Sequence, residues 1–491
     1  MKKYYITTPL YYVNSKPHLG HAYTTIAADV LSRYLKSKGK EVFFQTGTDE
    51  HGSNIEKTAK LHNIEPKKWA DEIMQDFKNL WKVLHIESDY FIRTTDPSHE
   101  KQVQLIFDKL IKTGDIYKGE YEGKYCPSCE NFYDESEIIN GECPIHKKEL
   151  ENVKEESYFF RLSKYENKLL ELYKENKEFL SPPYRANEII RFVENGLNDI
   201  SVSRTKVSWG IPVLSDPSHT IYVWFDALLN YITGPGFDLE NKNDNFNAIW
   251  PADVHIIGKE IFRFHAVIWP AIIMALELPL PKKVYAHGWW TVEGEKMSKS
   301  RGNIIDPIEI VKEYGLDPFR YFILREMPFG QDGDFSIKSF KQRYNGELAN
   351  NLGNLFSRVL SMVNKYLDNK MPEKPENSKL FDEMLLMQKE IEKNMENLQF
   401  SVALDIIWKA IAILNKKIGD KKPWIMAKNQ MPELKEFLNE MVWCLRLIAS
   451  WIYPFMPDTS AKMHIYLAIG KTRNQDIENI KIDPLFPRIN E

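Results

Sequence analysis

An apolar, β-rich run, Tyr4 to Tyr12, leads through Pro17-His18-Leu19-Gly20-His21 into a helical pattern over Ala22–Leu35. A strand that hands over to a helix in this way sets two imidazoles at the helix N-terminus. Unpaired amides and the positive end of the helix dipole gather there and attract phosphate. Far downstream, Lys296-Met297-Ser298-Lys299-Ser300 carries two ammonium groups on a stretch flanked by Gly294 and Gly302, able to swing onto a polyphosphate. Singly, the first is also an ordinary helix start and the second a solvated loop. In this order on these elements, they point to a nucleotide-binding α/β fold.

The rest of the pattern agrees. Helical periodicity alternates with short β-branched or aromatic runs to about Gly114, including Val42–Gln45 and Tyr90–Arg93. That order predicts a parallel sheet. Short strands and turns then mark an insertion, after which apolar strands return at Val254–Ile257 and Val284–His287 with a buried helix, Ala266–Leu276, between them. Together they complete a doubly wound, Rossmann-type fold. From about Phe340 the patterns are helical (Asn345–Leu367, Leu380–Leu398, Val402–Ile418, Glu433–Ile452), which predicts a bundle. The expected division is 1–116 and 223–290 for the two halves of the catalytic domain, 117–222 for the insertion, and 291–340 for the region of the lysine loop. The bundle is expected at 341–469 and an irregular tail at 470–491.

With 491 residues, 43% of them hydrophobic and 27% charged, the chain can fill several cores. A net charge of −4 argues against a protein that coats nucleic acid indiscriminately, DNA included, and leaves a specific RNA partner read through local patches. Lys2 and Lys3 precede an apolar stretch, but Thr7, Thr8, Pro9 and Asn14 interrupt it, so it reads as a core strand and not a leader. Ala266–Leu276 contains Pro270 and is too short to cross a bilayer, so no membrane association is expected.

Cys126-Pro-Ser-Cys129 and Cys143-Pro-Ile-His146 form two chelating pairs with the spacing of a structural zinc knuckle. Thiolates plus imidazole favour Zn²⁺ over hard cations, and four protein ligands leave no open position for catalysis. The remaining cysteine, Cys444, lies in an apolar helix and reads as inert core. This usage suits a reducing, cytoplasmic setting.

Both phosphate-handling segments resemble the nucleotide motifs of class I aminoacyl-tRNA synthetases. The likeness sharpens at Thr7-Thr8-Pro9-Leu10-Tyr11-Tyr12-Val13-Asn14, Gly47-Thr48-Asp49-Glu50-His51-Gly52 and Val223-Trp224-Phe225-Asp226-Ala227-Leu228, which look like the bacterial-type methionyl-tRNA synthetase family over essentially the whole chain. The resemblance implies ATP, accompanied by Mg²⁺, bound by His18, Gly20, His21, Lys296, Ser298 and Lys299. His18, His21, Lys296 and Lys299 would be the catalytic groups. It implies an L-methionine pocket made by Pro9, Leu10, Tyr12, Trp224, Leu228, Tyr231 and His265, with Asp49 on the ammonium group. The chemistry suits, since aromatic walls favour a polarizable thioether and a carboxylate favours an ammonium ion. Glu260, in Ile257-Gly258-Lys259-Glu260-Ile261, stands where many relatives are expected to carry Asp.

By the same resemblance Asn354 and Arg358, four residues apart on one helix face, and Trp424 after Lys421-Lys422-Pro423 match anticodon readers of tRNA(Met), elongator and initiator. The implied reaction makes methionyl adenylate with release of pyrophosphate, then charges the terminal adenosine of the tRNA. Valine, isoleucine and leucine enzymes carry a large editing insertion, for which the segment here is too short. A cysteine enzyme would bring its zinc to the substrate, and a small nucleotidyltransferase would not need the bundle. A catalytically dead RNA-binding scaffold would not be expected to keep His18, His21, Lys296 and Lys299. With no appended C-terminal association domain, a monomer is expected.

Overall fold

The computed structural model describes residues 2–126, 131–133, 138, 141–144, 147–292, 294–296, 305–367, 374–375, 378–467 and 483–490; at 121–122, 131–133, 153–155 and 295–296 only the backbone is described. The chain divides into two compact units, residues 1–28 with 39–287 and residues 29–38 with 288–491.

The first unit is built on a six-stranded sheet in the spatial order Tyr90–Arg93, Val42–Asp49, Tyr4–Tyr12, Val254–Gly258, Val284–His287, Leu180–Ser181. Every adjacent pair is parallel. The chain builds outward from Tyr4–Tyr12 on one side and then returns to build on the other. The carboxyl ends of Tyr4–Tyr12 and Val254–Gly258 therefore flank the topological switch point, where such sheets bind ligands. The doubly wound reading holds, with an addition: the segment taken as an insertion returns a two-residue strand, Leu180–Ser181, to the edge of the main sheet. The sheet is buried on both faces, and the core beside it draws on Tyr5, Phe107, Phe160, Phe225, Tyr231 and Trp269.

The first strand is irregular where it matters. Its register against Val42–Asp49 shifts between Thr7 and Leu10, at Pro9, which has no N–H to give to the ladder. Beyond this bulge Leu10 pairs with Gly47 and Tyr12 with Asp49. Gly47 is required there, because a Cβ would lie 2.0 Å from the Ile92 carbonyl oxygen.

The rest of this unit includes a four-stranded antiparallel sheet in which Ile116–Cys126 and Glu151–Phe160 pair along their length. The apolar stretch near residue 270 is a π-helical turn, Phe264–Ile268, running into an α-helix, Trp269–Ala275, with Pro270, which has no N–H to give, just past the junction.

The second unit is mainly helical, with major helices Asn354–Leu367, Lys379–Glu396, Phe400–Lys421 and Glu433–Ile452, close to the ranges expected from periodicity. A π-helical segment, Tyr344–Gly353, leads into the first of these. Arg320, wholly buried, binds the Asp29 carboxylate at 2.6 Å and the carbonyls of Pro454 and Phe455 at 2.9 and 3.1 Å. The tail is pinned where Asn345 bonds the Ile489 carbonyl and N–H at 2.9 and 3.1 Å. Among the described residues, no helix is long and apolar enough to cross a membrane.

Candidate active site

The helix that follows the first strand runs from Leu19 to Ser37, and His18 supplies its first acceptor, taking the Ala22 N–H at 3.2 Å. Both imidazoles are fixed by main-chain donors. The His18 N–H donates to Nδ1 of His21 at 3.1 Å, and the Gly20 N–H donates to Nδ1 of His18 at 3.1 Å. With each Nδ1 accepting, the proton of each neutral ring belongs on Nε2, a donor of the kind that suits phosphate oxygens. Burial, helped by the neighbouring His18 ring, holds the His21 pKa well below the usual histidine value. Tyr11 backs the pair: its ring meets His21 edge-on at 5.0 Å, and its hydroxyl lies 2.6 Å from Thr25 Oγ1.

Beside this pair, the expected methionine-binding residues separate into a buried wall and a partly exposed front. Pro9, Leu228, Tyr231 and His265 are buried, whereas Leu10, Tyr12, Asp49 and Trp224 keep accessible surface. Tyr231 is the hub of the wall. Nδ1–H of His265 donates to the Ile261 carbonyl at 3.0 Å, so its Nε2 accepts from the Tyr231 hydroxyl at 2.7 Å. Burial lowers the His265 pKa to about 4, which keeps this ring neutral and its wall apolar. Trp224 stacks on Phe264 at 3.8 Å and meets His265 edge-on at 6.4 Å. Phe264, the neighbour of His265, was not singled out from sequence. A second neutral histidine, His255, lies behind, with Nδ1 2.7 Å from Thr7 Oγ1 and Nε2 accepting from Trp269 at 3.1 Å.

Asp49 ends its strand just before two anchored residues. Glu50, fully buried, takes Nε and Nη2 of Arg93 at 2.7 and 2.8 Å. His51 reaches the Asp226 carboxylate at 2.7 Å.

Of the lysine motif, the backbone of Lys296 is described: it pairs with Thr291 in a hairpin turned at Gly294, whose φ is +77°. Ser298 and Lys299 lie outside the described residues. Asn354 is exposed and Arg358 half-buried on the helix Asn354–Leu367, and Trp424 is 47% exposed on a short helix, Pro423–Lys428.

Cys126 and Cys143 are both buried in one small cluster beside Ile138 and Leu150. Cys126 pairs with Asn131 across a hairpin. Cys143 begins a tight turn, its N–H donating to the Lys148 carbonyl and its carbonyl accepting from Lys147, both at 2.8 Å. Cys129 and His146 lie outside the described residues. The two described thiols of the expected ligand set thus lie together in one buried cluster. Cys444 is buried elsewhere, and burial raises its thiol pKa to about 12.

The family model described as tRNA synthetases class I (M) matches residues 4–152 and 137–360. The methionine–tRNA ligase of Caldanaerobacter subterraneus subsp. tengcongensis is 50% identical over 475 residues, 95% of this chain and 74% of that protein. That of Thermotoga maritima is 46% identical over 508 residues, covering 99% and 80%. Among solved structures, the Mycobacterium tuberculosis methionyl-tRNA synthetase in complex with methionyl-adenylate superposes with a TM-score of 0.93 at 37% identity, covering 99% of this chain and all of that one.

Proposed function

The chain belongs to the class I tRNA synthetases, in the methionine–tRNA ligase group, and from that premise we propose how its residues divide the work. The enzyme activates methionine with ATP to methionyl adenylate, releasing pyrophosphate, and transfers the methionyl group to the terminal adenosine of tRNA. No covalent enzyme intermediate is needed, so the protein contributes positioning and charge stabilisation. The observation that carries the assignment of roles is the pair of imidazoles at the switch point, each with Nδ1 accepting a main-chain N–H, which puts the ring proton on Nε2.

His18 and His21, with Gly20 between them, bind the triphosphate, and Mg²⁺ accompanies it. Lys296 and Lys299 meet the charge that builds on the leaving pyrophosphate, with Ser298 donating a hydrogen bond. Asp49 takes the methionine ammonium group. Leu10, Tyr12 and Trp224 contact the side chain in front of the wall of Pro9, Leu228, Tyr231 and His265. Support comes from the pairing of Tyr12 with Asp49 and from the stacked, partly exposed Trp224.

Asn354, Arg358 and Trp424 read the anticodon of both methionine acceptor tRNAs; the exposed ring of Trp424 suits stacking on a splayed base. Cys126, Cys129, Cys143 and His146 hold one Zn²⁺, which orders the small antiparallel segment around it. A reducing, cytoplasmic setting suits an enzyme in which Cys126, Cys143 and Cys444 form no disulfide.

ATP–pyrophosphate exchange with methionine, cysteine, valine and leucine presented separately tests the reading. Exchange is expected with methionine alone; comparable exchange with one of the others overturns the pocket.

A further inference from the structure

The strand end that carries Asp49 and the helix that carries Trp224 and Leu228 are joined by a buried ionic cluster. His51 is 3% exposed, and Asp226 and His99 are each 1% exposed. The Asp226 carboxylate accepts from both rings, from Nδ1–H of His51 at 2.7 Å and from Nε2–H of His99 at 2.7 Å. Nδ1 of His99 lies 2.7 Å from Thr233 Oγ1. The other nitrogen of His51 is 3.5 Å from a Glu100 carboxylate oxygen, and Trp209 meets the ring edge-on at 5.5 Å.

Burial alone would push the His51 pKa down. The Asp226, Glu100 and Asp49 carboxylates outweigh it and lift the value to about 10, so the ring is an imidazolium at neutral pH. Burial likewise opposes the charge on Asp226, yet the two histidines hold its pKa below the usual carboxylate range. A buried ion pair stabilises a fold little better than well-packed apolar side chains do, whereas removing one partner strands the other. What this cluster supplies is a fixed geometry between two segments 175 residues apart in sequence. The opposite side of the loop is already fixed through Glu50 and Arg93, so His51 is the contact that ties it to the helix.

We propose that Asp226 is a positioning residue for methionine recognition: by clamping His51 and His99 it sets Asp49, for the ammonium group, against Trp224 and Leu228, for the thioether chain. This rests on the reading of Asp49, Trp224 and Leu228 as pocket residues given above. Asp226 touches neither substrate. Its effect is confined to the amino-acid end of the site, because the His18 and His21 rings are held by their own main chain.

The test is steady-state ATP–pyrophosphate exchange by the full chain, with Asp226→Asn, His51→Gln, the double variant and Asp226→Glu. Each single neutral variant is expected to raise the methionine KM about tenfold or more while the ATP KM stays within about twofold. The double variant should be no worse than the worse single, since both break one linkage. Asp226→Glu, which keeps the charge, should recover part of the loss. In Asp226→Asn, His51 loses its main counter-charge and should titrate within about pH 5–8, adding an inflection to the methionine KM that the unsubstituted enzyme lacks. Methionine and ATP constants rising together, additive single effects, or an unchanged pH profile overturns the proposal. Asp49→Asn is run beside them. An unchanged methionine KM there overturns the pocket reading and this inference with it. A raised KM there beside an unchanged one in Asp226→Asn overturns this inference alone.

Discussion

The main-chain N–H of His18 donates to Nδ1 of His21 across 3.1 Å, and the two rings stand 3.9 Å apart at 31°. A hydrogen bond from the backbone of one histidine to the ring of the other makes the pair a single unit, in which neither ring turns without disturbing its partner. Gly20 allows this. A Cβ there would sit 3.0 Å from Cε1 and 3.2 Å from Nδ1 of His18, tighter than ordinary van der Waals contact. Gly20→Ala is therefore expected to displace the His18 ring and lower kcat for ATP–pyrophosphate exchange about tenfold or more, with methionine affinity nearly unchanged. An unaltered kcat would show that the ring geometry does not matter.

Burial lowers the pKa of His21, His255 and His265, the last to about 4. In the unfolded chain each takes up a proton near pH 6.5, so below that pH the folded state binds fewer protons. Stability is then complete above about pH 6.5 and falls as the pH drops, by up to about 1.4 kcal/mol per pH unit for each such residue, until its folded pKa is reached. His51 has the opposite sign: its pKa of about 10 gives a contribution that is complete below about pH 6.5 and lost as the pH rises through 10. Urea denaturation midpoints measured between about pH 4 and 6.5 should fall with acidification, and His265→Asn should flatten the slope. Equal slopes would mean that His265 is not held neutral.

One zinc ion per chain is expected by atomic emission after exhaustive dialysis. Cys143→Ser should lose the metal and lower the unfolding temperature, because ligand binding is coupled to ordering of the segment. Cys444→Ser, in a buried site far along the chain, should keep the full metal content. Retention of zinc by Cys143→Ser would remove that residue from the ligand set.

Trp424→Ala should reduce charging of tRNA by about tenfold or more, the loss of one stacked base, and leave methionine-dependent exchange intact. Exchange falling in step with charging would reveal a folding defect instead of a lost RNA contact.

Much of this architecture can be read from periodicity, since Tyr4–Tyr12, Tyr90–Arg93 and Val284–His287 are strands over the residues their apolar runs mark out. The strand Leu180–Ser181 left no such trace, because two residues are too few for an alternation to register. The candidate site can be read wherever its residues cluster in the chain, as at His18 and His21, whose rings the structure brings together. The pairing behind the Asp226 cluster was not: Asp226 interrupts the apolar run Val223–Leu229, but nothing in the sequence ties it to His99, 127 residues away. Only packing brings them together. Phe264 was missed for a related reason, as an aromatic set between Arg263 and His265 has no mark to separate a stacking partner for Trp224 from ordinary core.

The central claim is that imidazoles at the end of the first strand and the ammonium groups of the lysine loop act on one triphosphate during adenylate formation. Rapid-quench measurement of methionyl adenylate formed in a single turnover, on His21→Ala and Lys296→Ala with methionine affinity determined in parallel, tests it most directly. The expected result is a rate lower by about 10²–10³ in each variant, with methionine affinity changed less than about threefold. Adenylate forming at an undiminished rate in either variant, or affinity lost in proportion to rate, would contradict it.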